Sequence, residues 1–325
     1  MAWPQNGRSV ASAEQTPGVI ETIGNAFVLL NKQPYVLVFP ILLDLFLWLG
    51  VRLSVQPLID ALIRWTSSSP SMDEATISRL NDIGKSVNLF ELLALSMPSL
   101  VTRVGADAIA GASNNTIDTL SWWQLLLVGL LLFLVGYAIG VFYLTLLGFL
   151  VRNERLGLKS LPQATFMNIF RAYGYLLLLV GVSLLILFPL LILSSILLAI
   201  GISVVALLSL LLVFAFIWAY VLLFFVKDAI VVSAAGPARA IYLSYNVVRA
   251  NFWPCIGLIF VSLLIKIGTP LALLAVTRSP FGGVLAFIVN SYILTGVILA
   301  AMLFYRDRAV KLRAPQLPLA PDRLS

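Results

Sequence analysis

The sequence predicts an all-α, polytopic membrane protein: six transmembrane helices as three hairpins, each preceded by an amphipathic interfacial helix. Three observations carry this expectation. Apolar residues make up 61% of the chain and charged ones 11%, with a mean hydropathy of +1.02. Ordinary globular proteins use roughly a quarter charged residues, so this chain has too little charge to cover a water-facing surface. Several apolar runs exceed the roughly 20 residues that span a bilayer core. Finally, one arrangement recurs three times: an amphipathic segment, a long apolar hairpin, then a basic exit.

Residues 1–16 are polar and expected to be a disordered tail, with no cleavable signal peptide. A single six-helix domain is expected over 17–311. Pro17 opens a helical pattern with Ile20, Ile23, Phe27 and Leu30 on one face, and Tyr35 to about Leu53 reads as the first membrane helix, interrupted by Asp44. Residues 54–120 form a polar, extracytoplasmic helical insertion. Helical spacing recurs there over Pro57–Trp65, Met72–Lys85 and Asn88–Val104, and the last segment is apolar enough to lie on the membrane surface. Asn114-Asn115-Thr116 matches a glycosylation sequon and is read as a loop.

Trp122-Trp123 forms an aromatic belt before the second membrane helix, Leu125 to Phe149. From Ala172 to Val226, 55 residues pass without a charge. That is over twice a bilayer core at a rise of about 1.5 Å per residue, so a hairpin is required, turning between about Ser194 and Ser203. Pro237 starts the clearest amphipathic helix. Ile241, Tyr245, Val248 and Phe252 share one face, while Arg239, Asn246 and Arg249 lie elsewhere. Two apolar segments follow, ending at Arg306-Asp307. The Pro-rich tail over 312–325 is expected to be disordered.

The repeat rests on three aligned segments, Phe27–Tyr35, Phe166–Gly174 and Tyr245–Trp253, and on the exits Arg152-Asn153, Lys227-Asp228 and Arg306-Asp307. Phe166 to Lys227 and Tyr245 to Arg306 are both 61 residues, while Phe27 to Arg152 is 125, an excess of 64 that matches the insertion. Basic residues cluster in alternate short connections. This puts both termini and the three amphipathic helices in the cytoplasm.

The net charge of +7 follows these connections rather than forming a basic run interleaved with aromatics, so nucleic acid is not an expected partner. There is no histidine and one cysteine, Cys255. A thiolate metal cluster, an intrachain disulfide and Ser-His-Asp or Cys-His catalysis within the chain are thereby excluded, and no metal or cofactor is expected.

The small-residue, Ser, Val-Arg and Phe-Trp pattern of Ala240–Trp253 resembles a segment of bacterial six-helix proteins grouped with the membrane domain of glycerophosphodiester phosphodiesterases. The resemblance would cover about Pro17 to Tyr305. It implies a protein of the bacterial plasma (inner) membrane. The family's catalytic barrel would need a further domain rich in acidic and histidine residues, for which this chain has no room, so that activity is not expected to carry over.

Ionisable groups at membrane depth are the first functional candidates. Asp44 stands roughly 13 Å into the first helix, and Lys266 lies roughly 7–8 Å deeper in the fifth. Asn290, on the sixth, returns to a similar depth. Together they would form a polar track for an ion, proton or lipid headgroup. The alternative is that Lys266 snorkels outward and Asp44 caps a neighbouring backbone group. Arg171, Arg239 and Arg249, on the surface helices, are candidate contacts for anionic lipid, or simple orientation signals. The expected function is non-catalytic organisation of membrane lipids, or of other membrane proteins, through the interfacial helices. The alternative is a transporter or permease for a small solute or lipid that uses the polar track.

Overall fold

A computed structural model describes residues 17–66, 73–113, 115–117, 120–153, 160–200 and 203–313. The expected N-terminal tail, the C-terminal tail from residue 314 and Asn114 of the sequon lie outside the described residues. The fold is all-α. Among the described residues, five helices are long and apolar enough to cross a membrane, six if one bent pair counts as a single span.

The bent pair comes first. α1 (Val19–Lys32) buries Thr22, Ala26 and Leu30, one stripe at helical spacing, and leaves Ile20 exposed. Pro34 lacks an N–H and drives the preceding residue out of the helical region, so α1 stops at Gln33. After a 3-10 turn over Pro34–Leu37, α2 (Val38–Leu49) departs at 93°. Asn251 breaks the chain similarly between α10 (Pro237–Ala250) and α11 (Phe252–Leu273). At the second aligned segment there is no break: α7 runs continuously over Ser160–Ala199.

Between these pieces lie α3 (Gln56–Thr66), α4 (Glu74–Ser86), the single-turn α5 (Val101–Val104) and the long α6 (Trp122–Arg152). Gln124 accepts the Ser121 backbone N–H at 2.9 Å to open α6, and Asn153 closes it in the left-handed conformation at φ 55°. α8 (Val205–Leu222) and α9 (Val226–Val232) precede α10, and α12 (Pro280–Arg313) ends the fold. A two-residue parallel ladder, β1 (Arg52–Leu53) with β2 (Thr116–Ile117), ties the insertion's ends together.

α12 is the central post, packed by α1, α2, α6, α9, α10 and α11. At one end of the bundle, arginines close it by donating to carbonyl oxygens. Arg306 Nη1 reaches Val151 O at 2.7 Å, Arg152 Nη1 reaches Val231 O at 2.9 Å, and Arg308 Nη2 reaches Pro17 O at 3.3 Å. The basic residues of the first and third exits thus also staple helix ends. α7 and α8 form an open hairpin. α7 packs on α6, α8 meets α10, and past Tyr175 no described residue of α7 is buried. In α8 only Val221 is.

The main departure from expectation is the segment 88–104. It does not lie on a surface but descends into the bundle and returns. A 3-10 turn over Leu89–Ala94 runs down α6, with Leu89 against Gly129, Leu92 and Leu93 against Gly136, and Ser96 against Gly140. Met97 packs against the core cluster that holds Tyr143 and Leu147. The return limb buries Leu100, Val101, Ala106 and Ile109 with Leu47, Trp48 and Phe287, and Ala110 N–H reaches Thr277 O at 3.0 Å. Gly140 stands 18 residues into α6, roughly 27 Å along its axis. Non-helical backbone at such depth is tolerated only where protein surrounds it, and here α6, α2 and α12 do. Two glycines admit it: a Cβ at Gly136 would collide with the Leu92 carbonyl, and one at Gly140 with the Ser96 side chain.

Gly136→Ala is therefore expected to destabilise the protein by about 2 kcal/mol or more, since the obstructing atom is backbone. Gly129→Ala, with only ordinary contact to Leu89 at 3.6 Å, should stay within about 0.5 kcal/mol. Thermal melts in detergent will separate the two.

Candidate functional site

Asp44, on the second turn of α2, is fully buried. Its carboxylate accepts the Ser99 hydroxyl, the Leu100 N–H at 3.0 Å and the Val101 N–H at 3.3 Å. These are the unpaired donors at the start of α5, so Asp44 holds the turn of the re-entrant segment. It has no hydrogen bond or ion pair with Lys266. The two expected alternatives divide here: Asp44 caps a neighbouring backbone, and the polar track through Asp44, Lys266 and Asn290 is not assembled. Asn290 is fully buried on α12, and neither its Oδ1 nor its Nδ2 meets a hydrogen-bond partner among the described residues. The same holds for Ser291 Oγ beside it.

Lys266 belongs to a different group. α8 stops at Leu222 because the Ser244 hydroxyl donates to Leu222 O at 2.7 Å and accepts the Phe225 N–H at 3.2 Å. The chain re-starts as α9, which buries Asp228 and leaves the neighbouring Lys227 exposed. Lys227 Nζ donates to Ser96 Oγ at the tip of the re-entrant segment, 3.1 Å away, and lies 5.7 Å from the centre of the Tyr137 ring. Asp228 is buried and sits in the field of both Lys227 and Lys266, and Arg103 of α5 also acts on Lys266. Neither Asp228 nor Lys266 makes a hydrogen bond or ion pair with the described residues, and Lys227 and Arg103 are exposed.

Sequence reasoning placed Lys227-Asp228 at a membrane exit. The signal against that was Ala229–Val232, four further apolar residues after the charged pair. Ser96 and Arg103 were hidden by the surface reading of 88–104. Pro98, in the middle of that apolar stretch, was the available sign of a turn.

The three arginines expected on surface helices fare differently. Arg171 Nη1 donates to Asn168 Oδ1 at 3.2 Å, and Asn168 Nδ2 reaches Thr145 Oγ1 of α6 at 3.2 Å, so Arg171 anchors α7. Arg239 and Arg249 are exposed on α10. They share its outer side with Tyr242 and the following Trp253, 65% and 78% exposed, while Ala240, Ser244, Val247 and Val248 are buried on the other. Arginine beside tyrosine and tryptophan suits a membrane interface.

At the opposite end, the mouth of the re-entrant segment holds an Arg52–Asp107 ion pair and the half-buried Glu91. Burial pushes the Glu91 carboxyl up to about 7, with Arg52 opposing the rise and Asp107 adding to it. Comparison with known proteins gave no match: no family model, curated protein or solved structure aligns with the chain.

A carboxyl raised above its unfolded value binds more protons folded than unfolded, so its contribution is greatest in acid and is lost as pH rises towards 7. Thermal stability is expected to fall between about pH 5 and about pH 8, and Glu91→Gln is expected to flatten that fall. Melts of both proteins across this range provide the measurement.

Proposed function

We propose that the protein acts by binding rather than catalysis, organising anionic lipid at one face of the bacterial plasma membrane through its interfacial helices. The observation that carries this reading is the outer side of α10: Arg239 and Arg249 flanked by Tyr242 and Trp253, over a buried side of small residues. Each arginine at a surface is worth about 1 kcal/mol against anionic lipid. The aromatic rings fix depth, and the bend between α1 and α2 lays a second short helix across the bundle's axis. In this reading the chain crosses the membrane six times as a threefold repeat, with the Arg306 end and both termini cytoplasmic. The resemblance of Ala240–Trp253 to glycerophosphodiester phosphodiesterase membrane domains agrees with a membrane role that needs no catalytic barrel.

A second reading, a permease, is favoured by one observation. Discontinuous segments inside a bundle are a device of transporters, and residues 88–104 form one whose tip meets a lysine.

The test of the first reading uses lipids with brominated chains, which quench nearby tryptophan. The Trp253-dependent fluorescence, obtained by difference from Trp253→Phe, should be quenched more by brominated phosphatidylglycerol than by brominated phosphatidylcholine. In Arg239→Gln/Arg249→Gln the preference should disappear. Equal quenching by the two lipids in the unaltered protein removes the proposal.

A further inference from the structure

The flank of α11 carries a groove. Its volume is about 330 Å³, and its walls include Leu264, Gly268, Thr269, Ala272 and Leu273 of α11 with Ile293 of α12. That volume falls at the lower end of the range for small-molecule sites. Gly268 makes the depression: it is exposed, and a Cβ built on it would meet no neighbouring segment within 4 Å. Ala272, one turn on, is exposed as well. α11 is among the helices long and apolar enough to cross a membrane, so the groove is continuous with a surface that hydrocarbon covers. An apolar hollow with no atoms against it forfeits dispersion contacts, and a hydrocarbon chain restores them. No charged residue lines the groove, and the neighbouring Lys266 is not part of its wall. Its contents are therefore a neutral chain and not a charged headgroup.

One feature of the wall is polar. Hydroxyls on the apolar helices of this chain donate back to the preceding turn: Thr145 to Val141 O, Ser195 to Leu191 O and Ser209 to Val205 O, each at 2.8 Å. Thr269 makes neither that bond nor any other with the described residues, and it lines the groove. Its position limits what can accept its proton. α11 has 22 residues, about 33 Å at helical rise, close to the roughly 30 Å of a hydrocarbon core. Thr269 stands about 6 Å from the end of α11, just inside the core's boundary. The ester carbonyls of glycerolipids lie at that level, between headgroups and chains. From there the groove continues to Leu264, about 7.5 Å deeper, in the direction an acyl chain takes.

We propose that this groove holds one acyl chain of a glycerolipid, with the Thr269 hydroxyl donating to that chain's ester carbonyl. Selection is then for the ester linkage and not for the headgroup. An ether-linked lipid with the same chains offers no carbonyl there and leaves the hydroxyl without its acceptor. This site does not depend on the α10 surface, and Arg239 and Arg249 lie outside it.

Native mass spectrometry of the full chain in detergent, with added dioleoyl phosphatidylcholine or its di-O-oleyl ether analogue, tests the assignment. The two lipids share a zwitterionic headgroup and differ in the linkage. The ester lipid is expected to be retained about threefold better, the worth of one neutral hydrogen bond in a bilayer. Thr269→Val should lower ester retention to that of the ether, and Thr269→Ser should keep the preference. Gly268→Leu, whose side chain fills the groove, should weaken retention of both lipids. Arg239→Gln/Arg249→Gln should leave the ester preference unchanged even where the α10 surface loses its headgroup preference, so failure of either proposal is visible by itself. Equal retention of the two lipids by the unaltered protein, an ester preference that survives in Thr269→Val, or undiminished retention by a folded Gly268→Leu protein overturns the inference.

Discussion

A carboxylate in an apolar bundle must find donors, and Asp44 finds its own in the turn Ser99–Val101. Hydrogen bonds to a charged group contribute about 1.5–3 kcal/mol each, and leaving such a group buried without them costs more than the bonds themselves. The exchange is mutual. The start of α5 presents backbone N–H groups that no helical partner can satisfy, and at this depth no water replaces one. Asp44 and the re-entrant segment therefore each remove the other's desolvation cost. The rest of the interior follows: with the return limb held against α2 and α12, the descending limb is pressed on the glycine side of α6, and its tip is delivered to Lys227.

The helices were legible in the sequence because their signals are local. Apolar length marked the spans, Pro17 and Pro237 marked starts, and the insertion's helices at Gln56–Thr66 and Glu74–Ser86 fall close to the expected ranges. The site was less legible. Asp44 and Lys266 have the residue types and depth of a pair, but depth along one axis says nothing of azimuth, and each meets a different neighbour. The segment 88–104 was misplaced because an apolar run with a surface-helix pattern is also suited to burial. What decides is a feature of another helix, the glycines at 129, 136 and 140. Lys227 was assigned to a boundary because a charged pair ends most spans, whereas here the span breaks at Leu222 and resumes as α9.

Positive charge is used in three distinct ways along this chain. Arg152, Arg306 and Arg308 close helix ends on carbonyl oxygens. Arg239 and Arg249 face outward among aromatic rings, the arrangement behind the proposed organisation of lipid. Lys227 and Lys266 act on the buried Asp228, and Lys227 also reaches Ser96 Oγ. Composition alone cannot distinguish these roles, since each contributes equally to the net charge of +7. Packing distinguishes them, because it fixes which cations have oxygen partners inside the bundle and which face outward.

The depth of the re-entrant segment and its dependence on Asp44 are tested most directly by reagent access. In a Cys255→Ala background, Met97→Cys is exposed to a membrane-impermeant maleimide, with Asp44 intact and with Asp44→Ala. The thiol is expected to be unreactive while Asp44 is present and to become labelled when it is removed. Ready labelling with Asp44 in place would contradict the account.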